Sequence, residues 1–256
     1  YSINGATDKP QEKPVVTFAD ITIAEAAAWV VGKTSGIVYD NNKRLVLQRA
    51  EVVYSNGGAV FVREGENAVE FYNLGVTCSS GDVLSGEIRC SLENYYGIAE
   101  FIKCDSTDVT TVTVTKTGNV PVPVEVTMDD VKSLKHLCNL VVVKNVTVAV
   151  DTLGTFIKDT AGNKLQLRTR TPGIEAPQDF AGKTYDVTGI PAYIYKGEGQ
   201  LCAIAFTDIG EGGGVADITN DAKTSLIYDL QGRRVDRATA NTRCGIYIIN
   251  GKKVVR

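Results

Sequence analysis

Hydrophobic and polar residues alternate with a period of two along most of the chain. The run from Val109 to Thr115 and the run from Val141 to Val146 show this pattern, and both are rich in β-branched residues. Such alternation is typical of β-strands with one buried face. Because amphipathic helical periods are scarce, the sequence predicts an all-β fold.

Two short helices interrupt the strands. The segment Thr22–Glu25 has the spacing of a capping box, in which a Thr hydroxyl and a Glu carboxylate satisfy each other's backbone N–H groups. It predicts a helix over Ile23–Val30. A similar signal at Thr127–Asp130 precedes apolar residues at helical spacing, namely Val131, Leu134 and Leu137. The two helix starts lie in equivalent positions of two halves, which indicates a duplication.

The two halves match along their length, as expected of an internal repeat. The matched segments are Leu45–Val53 with Leu140–Val148, Gly58–Glu64 with Leu153–Asp159, Ala68–Phe71 with Lys164–Leu167, Gly81–Ile88 with Gly182–Ile190, and Tyr96–Phe101 with Gly199–Phe206. Each repeat therefore has five strands. Because closure into a barrel removes the open edges of such a small sheet, we expect two tandem OB-fold-like five-stranded barrels, over 15–115 and 116–209.

A third piece follows the repeats. The glycine-rich segment 210–214 is typical of a linker, and two strand-turn-strand patterns follow it. They predict a small C-terminal antiparallel β module over 222–256. About 35 residues bury too little surface to be stable alone, so this module should pack on a neighbour.

Composition excludes several classes of chemistry. The 27 Lys and Arg and 30 Asp and Glu of this 256-residue chain give a net charge of −3, and the chain has only one His. Sites that depend on several histidines are therefore excluded, and the G-x-S-x-G and H-E-x-x-H motifs are absent. We expect a protein that is not an enzyme and has no catalytic residues, no cofactor and no metal.

The cysteines and the apolar segments bear on the compartment. Six cysteines contain no C-x-x-C pair, and most lie in apolar alternations, which favours buried thiols over disulfides without excluding the latter. No apolar run is long enough to predict a transmembrane span. The segment Tyr1–Pro14 is polar and lacks an initial Met, which is typical of the start of a processed protein.

Two resemblances point to an exported protein. The segments TIAEAAAW and VVYSNGGAVFVREGENAVEFYNLG resemble the OB-fold repeats of exported Bacteroides-type proteins described as nucleic-acid-binding lipoproteins. The tail LIYDLQGRRV with GIYIINGKKVVR resembles the C-terminal sorting-type module of secreted Bacteroidetes proteins. The resemblance implies a place in the cell envelope, on the outer surface or in the secreted fraction. The chain lacks a lipid-attachment Cys at its start, where the lipoproteins have one.

Candidate ligand residues follow from the way OB-folds bind, on the face of strands two and three and in the neighbouring loops. Alternation directs the side chains of Phe61 and Arg63 away from Val60 and Val62. An exposed ring beside a cation suits stacking on a base or sugar. The same argument selects Phe156 and Lys158 in the second repeat. The alternative is that both phenylalanines fill the barrels and both cations are solvated.

Further candidates lie on strand three and in the connection between strands four and five. Tyr72, beside Glu70, and Arg168 point to the same outer face. The turn residues are Tyr95, Tyr96, Tyr193 and Tyr195. Rings in these turns could stack on a ligand, or they could cover the barrel mouths as ordinary turn residues.

Three kinds of partner fit this arrangement: an oligonucleotide, an oligosaccharide or a protein. Oligosaccharide binding predicts exposed rings flanked by amides and carboxylates, whereas nucleic-acid binding predicts clustered cations on one face. A protein-interaction scaffold or adhesin-like surface component predicts broad aliphatic patches without a pocket. A sequence pI near 5.4 argues against an oligonucleotide, because phosphate contacts usually dominate that affinity.

Overall fold

The computed structural model describes residues 16–34, 36–169 and 173–210, together with the backbone of four strands between residues 227 and 255. The first half contains β1 (Ala19–Ile21), α1 (Ile23–Trp29), β2 (Ile37–Asn56), β3 (Ala59–Glu64), β4 (Asn67–Tyr72), β5 (Val83–Tyr95), β6 (Ile98–Ile102) and β7 (Thr113–Thr115). The second contains β8 (Val124–Glu125), α2 (Met128–Lys132), β9 (Val141–Asp151), β10 (Gly154–Lys158), β11 (Lys164–Gln166), β12 (Thr184–Tyr195) and β13 (Glu198–Gly210). The predicted all-β class is confirmed.

Strands β2 to β6, here called the first barrel, form a closed ring. β2 pairs with both β3 and β5, β3 pairs with β4, and β6 pairs with β4 and β5. Only the β4–β6 pair is parallel. Alternate side chains fill the interior, among them Leu45, Val62, Phe71, Ile88 and Phe101.

Strands β9 to β13, the second barrel, repeat this order. β9 pairs with β10 and β12, β10 pairs with β11, and β12 pairs with β13. A single parallel bridge between Leu167 and Leu201 joins the β11 side to β13 and completes the ring. The five matched strand segments are therefore strands in both repeats, while the exact domain boundaries stay a prediction.

A capped helix precedes each barrel. Thr22 Oγ1 accepts a hydrogen bond from the Glu25 N–H, and the Glu25 carboxylate accepts one from the Thr22 N–H. Thr127 and Asp130 make the same reciprocal bonds at α2. α2 ends at Lys132, so Leu134 and Leu137, which have helical spacing in the sequence, lie beyond it. The positive φ angle of Leu134 is incompatible with continuing the helix.

The two barrels meet directly through their outer faces, at what we call the junction. The first barrel contributes Val53, Ala59, Phe61, Ala68 and Ile98, and the second side contributes Cys138, Leu140, Ile190, Ala192 and Cys202. The connector Val109–Val126 contributes none of the apolar residues of this junction. That connector adds β7 to the edge of β5 and β8 to the edge of β9.

The C-terminal strands are β14 (Ile227–Asp229), β15 (Arg234–Val235), β16 (Ile246–Ile249) and β17 (Lys252–Val255). They pair antiparallel in the order β15-β14-β16-β17, as the predicted module requires. The turns of the module, the linker beyond Gly210, the N-terminal segment Tyr1–Pro14 and Cys244 lie outside the described residues. The other five cysteines are free thiols. Among the described helices, none has the length and apolar character needed to cross a membrane.

Candidate ligand-binding face

The predicted binding face of the first barrel is covered by the second barrel. Phe61 points outward, as alternation predicts, yet it is 0% exposed because it packs in the junction. Arg63 forms an ion pair with Glu51 at 2.7 Å and donates to Asn139 Oδ1 and the Val122 carbonyl. Both the expected exposed ring and the alternative of a ring inside the barrel were wrong for Phe61. Phe61 and Arg63 therefore hold the two barrels together and do not face a ligand.

The equivalent face of the second barrel is open at Phe156 and partly covered at its other end, where Tyr193 packs against the junction. Ile157 fills the interior, so Phe156 points outward, where its ring is half-buried. Phe156 lies opposite Gln166 on the next strand, and the Gln200 amide donates to Gln166 Oε1 at 2.5 Å. Gln200 in turn lies opposite Tyr193. These four side chains form a line across four strands, which we call the stacking row.

Cations accompany the rings of this face. Arg168 lies with its guanidinium carbon 4.1 Å from the centre of the Tyr193 ring. The ammonium of Lys164 lies 5.4 Å from the Phe156 ring, and that of Lys196 lies 5.3 Å from the Tyr195 ring. Each ring on this face therefore presents its surface next to a positive charge, which is a favourable cation–π arrangement.

Two of the lysines face each other. Lys158 and Lys164 are direct partners on the antiparallel strands β10 and β11. Like charges in that relation repel, because their Cβ atoms are only about 5 Å apart. Asp151 offsets part of this charge through a 3.3 Å contact with Lys164. An anionic group bound between the two lysines would offset the remainder.

A hollow of about 470 Å³ opens beside the row. Its walls include Thr155, Phe156, Gln166, Arg168, Tyr195 and Lys196, and none of the lining residues is acidic. The Nε atom of Arg168 is buried and has no hydrogen-bond partner among the described residues. The hollow thus offers an aromatic wall, two cations and amide groups, although the whole chain carries a net charge of −3.

The first barrel contributes an acidic feature that strand alternation alone did not reveal. Glu70 on β4 lies opposite Glu100 on β6, and Glu100 lies opposite Glu93 on β5. We call these three side chains the carboxyl row. Glu93 and Glu100 are each 7% exposed, and none of the three forms an ion pair with a described Lys or Arg.

Burial raises the pKa of all three carboxyls of this row. Burial raises the pKa of Glu70 to about 7. Burial, and then the neighbouring Glu70 and Glu93, raise the pKa of Glu100 to about 8. Burial also raises the pKa of Glu93. An ionised carboxylate in this row is unfavourable because it forms no ion pair with a Lys or Arg of the described residues.

The remaining candidates are the tyrosines of the turns and Tyr72, and they lie in different parts of the structure. Tyr95 and Tyr96 are 38% and 46% exposed at the β5–β6 turn, and Tyr195 is exposed at the β12–β13 turn. Tyr72 is exposed at the opposite end of β4 from Asn67. Asn67 lines a cavity at the junction together with Gly97, so Tyr72 lies about 16 Å from that end by strand rise. Tyr72 belongs neither to the stacking row nor to the hollow beside it.

The described residues contain no group of three His, Cys, Asp or Glu side chains arranged to hold a metal ion. Phe156, Arg168, Tyr193, Tyr195 and, at its margin, Lys158 are the predicted residues that the open face brings together. Lys164, Gln166, Lys196 and Gln200 are additions, and Gln200 joins the site through its hydrogen bond to Gln166, which lies 34 residues away along the chain. Compared with known proteins, the chain matches no protein-family model and no curated protein.

Proposed function

We propose that the protein is a non-enzymatic binding protein that holds a single-stranded oligonucleotide on the outer face of its second barrel. The observation that carries this proposal is the pairing of Phe156, Tyr193 and Tyr195 each with a cation. Single-stranded nucleic acids are bound by such faces, where bases stack on rings and cations contact phosphates. The resemblance to exported OB-fold proteins supports a place in the cell envelope.

The charge distribution reconciles this proposal with an acidic chain. The ligand contacts only the positive charges of Lys158, Lys164, Arg168 and Lys196. These side chains therefore neutralise few of its phosphates. With about two phosphate contacts, the logarithm of the binding constant should fall with the logarithm of the salt concentration at a slope of about −1.4. Stacking supplies the rest of the affinity.

An oligosaccharide is the second candidate. The Gln166 and Gln200 amides lie between the rings, where they could bond sugar hydroxyls. A neutral sugar would release no counterions, so its binding would not depend on salt. The salt slope therefore separates the two candidates.

Fluorescence anisotropy with a labelled oligothymidylate tests the proposal. Phe156→Ala should weaken binding about tenfold, since one stacked base contributes about 1–3 kcal/mol. Arg168→Gln should reduce the salt slope by about 0.7. Tyr72→Ala removes an exposed ring outside the row and its hollow; it is the matched control and should leave binding unchanged. Absence of binding to oligothymidylate would overturn the proposal, and binding of a neutral glycan through Phe156 would favour the second candidate.

A further inference from the structure

The stacking row does not end at the edge of the second barrel. Burial raises the pKa of Tyr193, and nearby Glu70 and Tyr95 raise it further, while Arg168 lowers it. Tyr193 also packs against the junction cluster, which includes Ile98 at the start of β6, and its ring lies beside Arg168 of its own barrel. The row leads towards the β5–β6 turn, where Tyr95 and Tyr96 are exposed.

This turn is held in a fixed position. Asn94 is 0% exposed, its Oδ1 accepts a 3.0 Å bond from the Gly97 N–H, and its amide donates to the Gly36 carbonyl. A Cβ placed on Gly97 would lie 2.4 Å from Cδ1 of Ile194, the residue next to Tyr193. The turn of the first barrel is therefore packed closely against the strand that carries the end of the row.

The two rings of the turn are also fixed relative to each other. Tyr95 and Tyr96 pack edge to face with ring centres 5.1 Å apart. Tyr96 has a φ of +52°, a left-handed conformation that bulky residues rarely adopt. Exposed rings in a rigid turn lose little conformational freedom when a ligand stacks on them, so they favour binding.

We propose that Tyr95 and Tyr96 form a second stacking subsite for the same oligonucleotide, so that the binding track crosses from the second barrel onto the first. This inference rests on the proposed function. Three interstrand steps place Phe156 about 14 Å from Tyr193, and the turn lies beyond Tyr193. A ligand of a few nucleotides would fill only the row, whereas a longer one would reach the turn.

The surroundings of this subsite differ from those of the row. The carboxyl row lies on the same barrel, with Glu93 two residues before Tyr95 on β5. None of Glu70, Glu93 and Glu100 forms an ion pair with a described Lys or Arg. The subsite therefore favours the uncharged base of the ligand over its phosphate, and it should add affinity without adding salt dependence.

Anisotropy titrations with oligothymidylates of about 4 and about 12 nucleotides test the inference, since both lengths fall within the range that one such barrel occupies. The wild-type protein should bind the longer ligand more tightly. Tyr95→Ala should weaken the longer ligand about tenfold and leave the shorter one unchanged. Tyr95→Phe, which retains the ring, should behave as the wild type, and Phe156→Ala should weaken both lengths.

The outcomes distinguish the two proposals. Unchanged binding of the longer ligand by Tyr95→Ala, with both lengths still weakened by Phe156→Ala, would overturn the second subsite and leave the proposed function intact. Failure of the wild-type protein to bind either length would overturn both. Thermal unfolding of Tyr95→Ala should match the wild type, and Tyr96→Ala, which removes the other exposed ring of the subsite and should also weaken only the longer ligand, provides the test if it does not. The salt slope of the longer ligand should equal that of the shorter one.

Discussion

Replacing Glu100 by Gln tests the electrostatics of the junction. Glu100 is 7% exposed, and Glu70 and Glu93 lie beside it on the neighbouring strands. On the second-barrel side, burial and then Glu70 and Glu100 raise the pKa of Cys138. Gln keeps the shape and hydrogen-bonding capacity of the protonated acid but never ionises.

The magnitude follows from the pKa of Glu100, which is 4.5 for an unperturbed Glu and about 8 here. Between these values the folded protein holds a proton that the unfolded chain releases, so the free energy of unfolding falls as the pH rises from about 5 to about 8. One pKa unit corresponds to about 1.4 kcal/mol, which gives an upper limit of about 5 kcal/mol. Because Glu70 and Glu93 share the repulsion, we expect about 2–5 kcal/mol.

Urea unfolding at pH 5, 7 and 9 measures the effect. The Glu100→Gln variant should equal the wild type at pH 5 and exceed its free energy of unfolding by that amount at pH 9. Carboxylates with lowered pKa values, such as Asp82 and Asp130, titrate below pH 5. They therefore do not contribute to a change in stability between pH 5 and pH 9. Glu66→Gln, at an exposed turn position, is the control. A wild-type stability that is flat or rises from pH 5 to pH 9 would refute the reasoning.

Three further predictions concern the junction and the turn. Phe61→Ala should lower the free energy of unfolding by about 3–5 kcal/mol, while Phe156→Ala should change it by less than about 1.5 kcal/mol; equal losses in urea unfolding would contradict their different burial. Gly97→Ala should cost about 1–3 kcal/mol because Gly97 has a φ of +102° and its added Cβ would meet Ile194; adding Ile194→Ala should recover only the part due to the contact, and no recovery in the double-mutant cycle would exclude that contact. Asn94→Ala should cost about 1–3 kcal/mol by leaving buried backbone groups unpaired, and a neutral result in thermal unfolding would show that Asn94 does not fix the turn.

Local sequence signals predicted the elements of this fold well. The capping boxes at Thr22 and Thr127 depend only on residues three apart, and both form as expected. Alternation directed Val60 and Val62 inward and Phe61 outward, as the structure has them. These local structures can be predicted from the sequence because all the residues that determine them lie within a few positions of one another.

Long-range packing explains what the sequence did not reveal. Alternation says that Phe61 faces outward but not that the second barrel covers it. The carboxyl row depends on the parallel register of β4 and β6, which brings Glu70 opposite Glu100. The hydrogen bond between Gln166 and Gln200 likewise joins strands 34 residues apart. The site could be predicted for the second repeat because the described chain leaves the Phe156 end of that face, with the hollow beside it, uncovered.

Acetylation of lysines in the presence and absence of an oligothymidylate tests most directly the claim that the open face of the second barrel binds the ligand. Lys164 and Lys196 lie exposed on that face, and Lys103 is an exposed lysine at the far end of the first barrel. Saturating ligand should slow the acetylation of Lys164 and Lys196 severalfold and leave Lys103 unchanged. Unchanged rates at Lys164 and Lys196 under saturating ligand, or protection of Lys103 instead, would contradict the account.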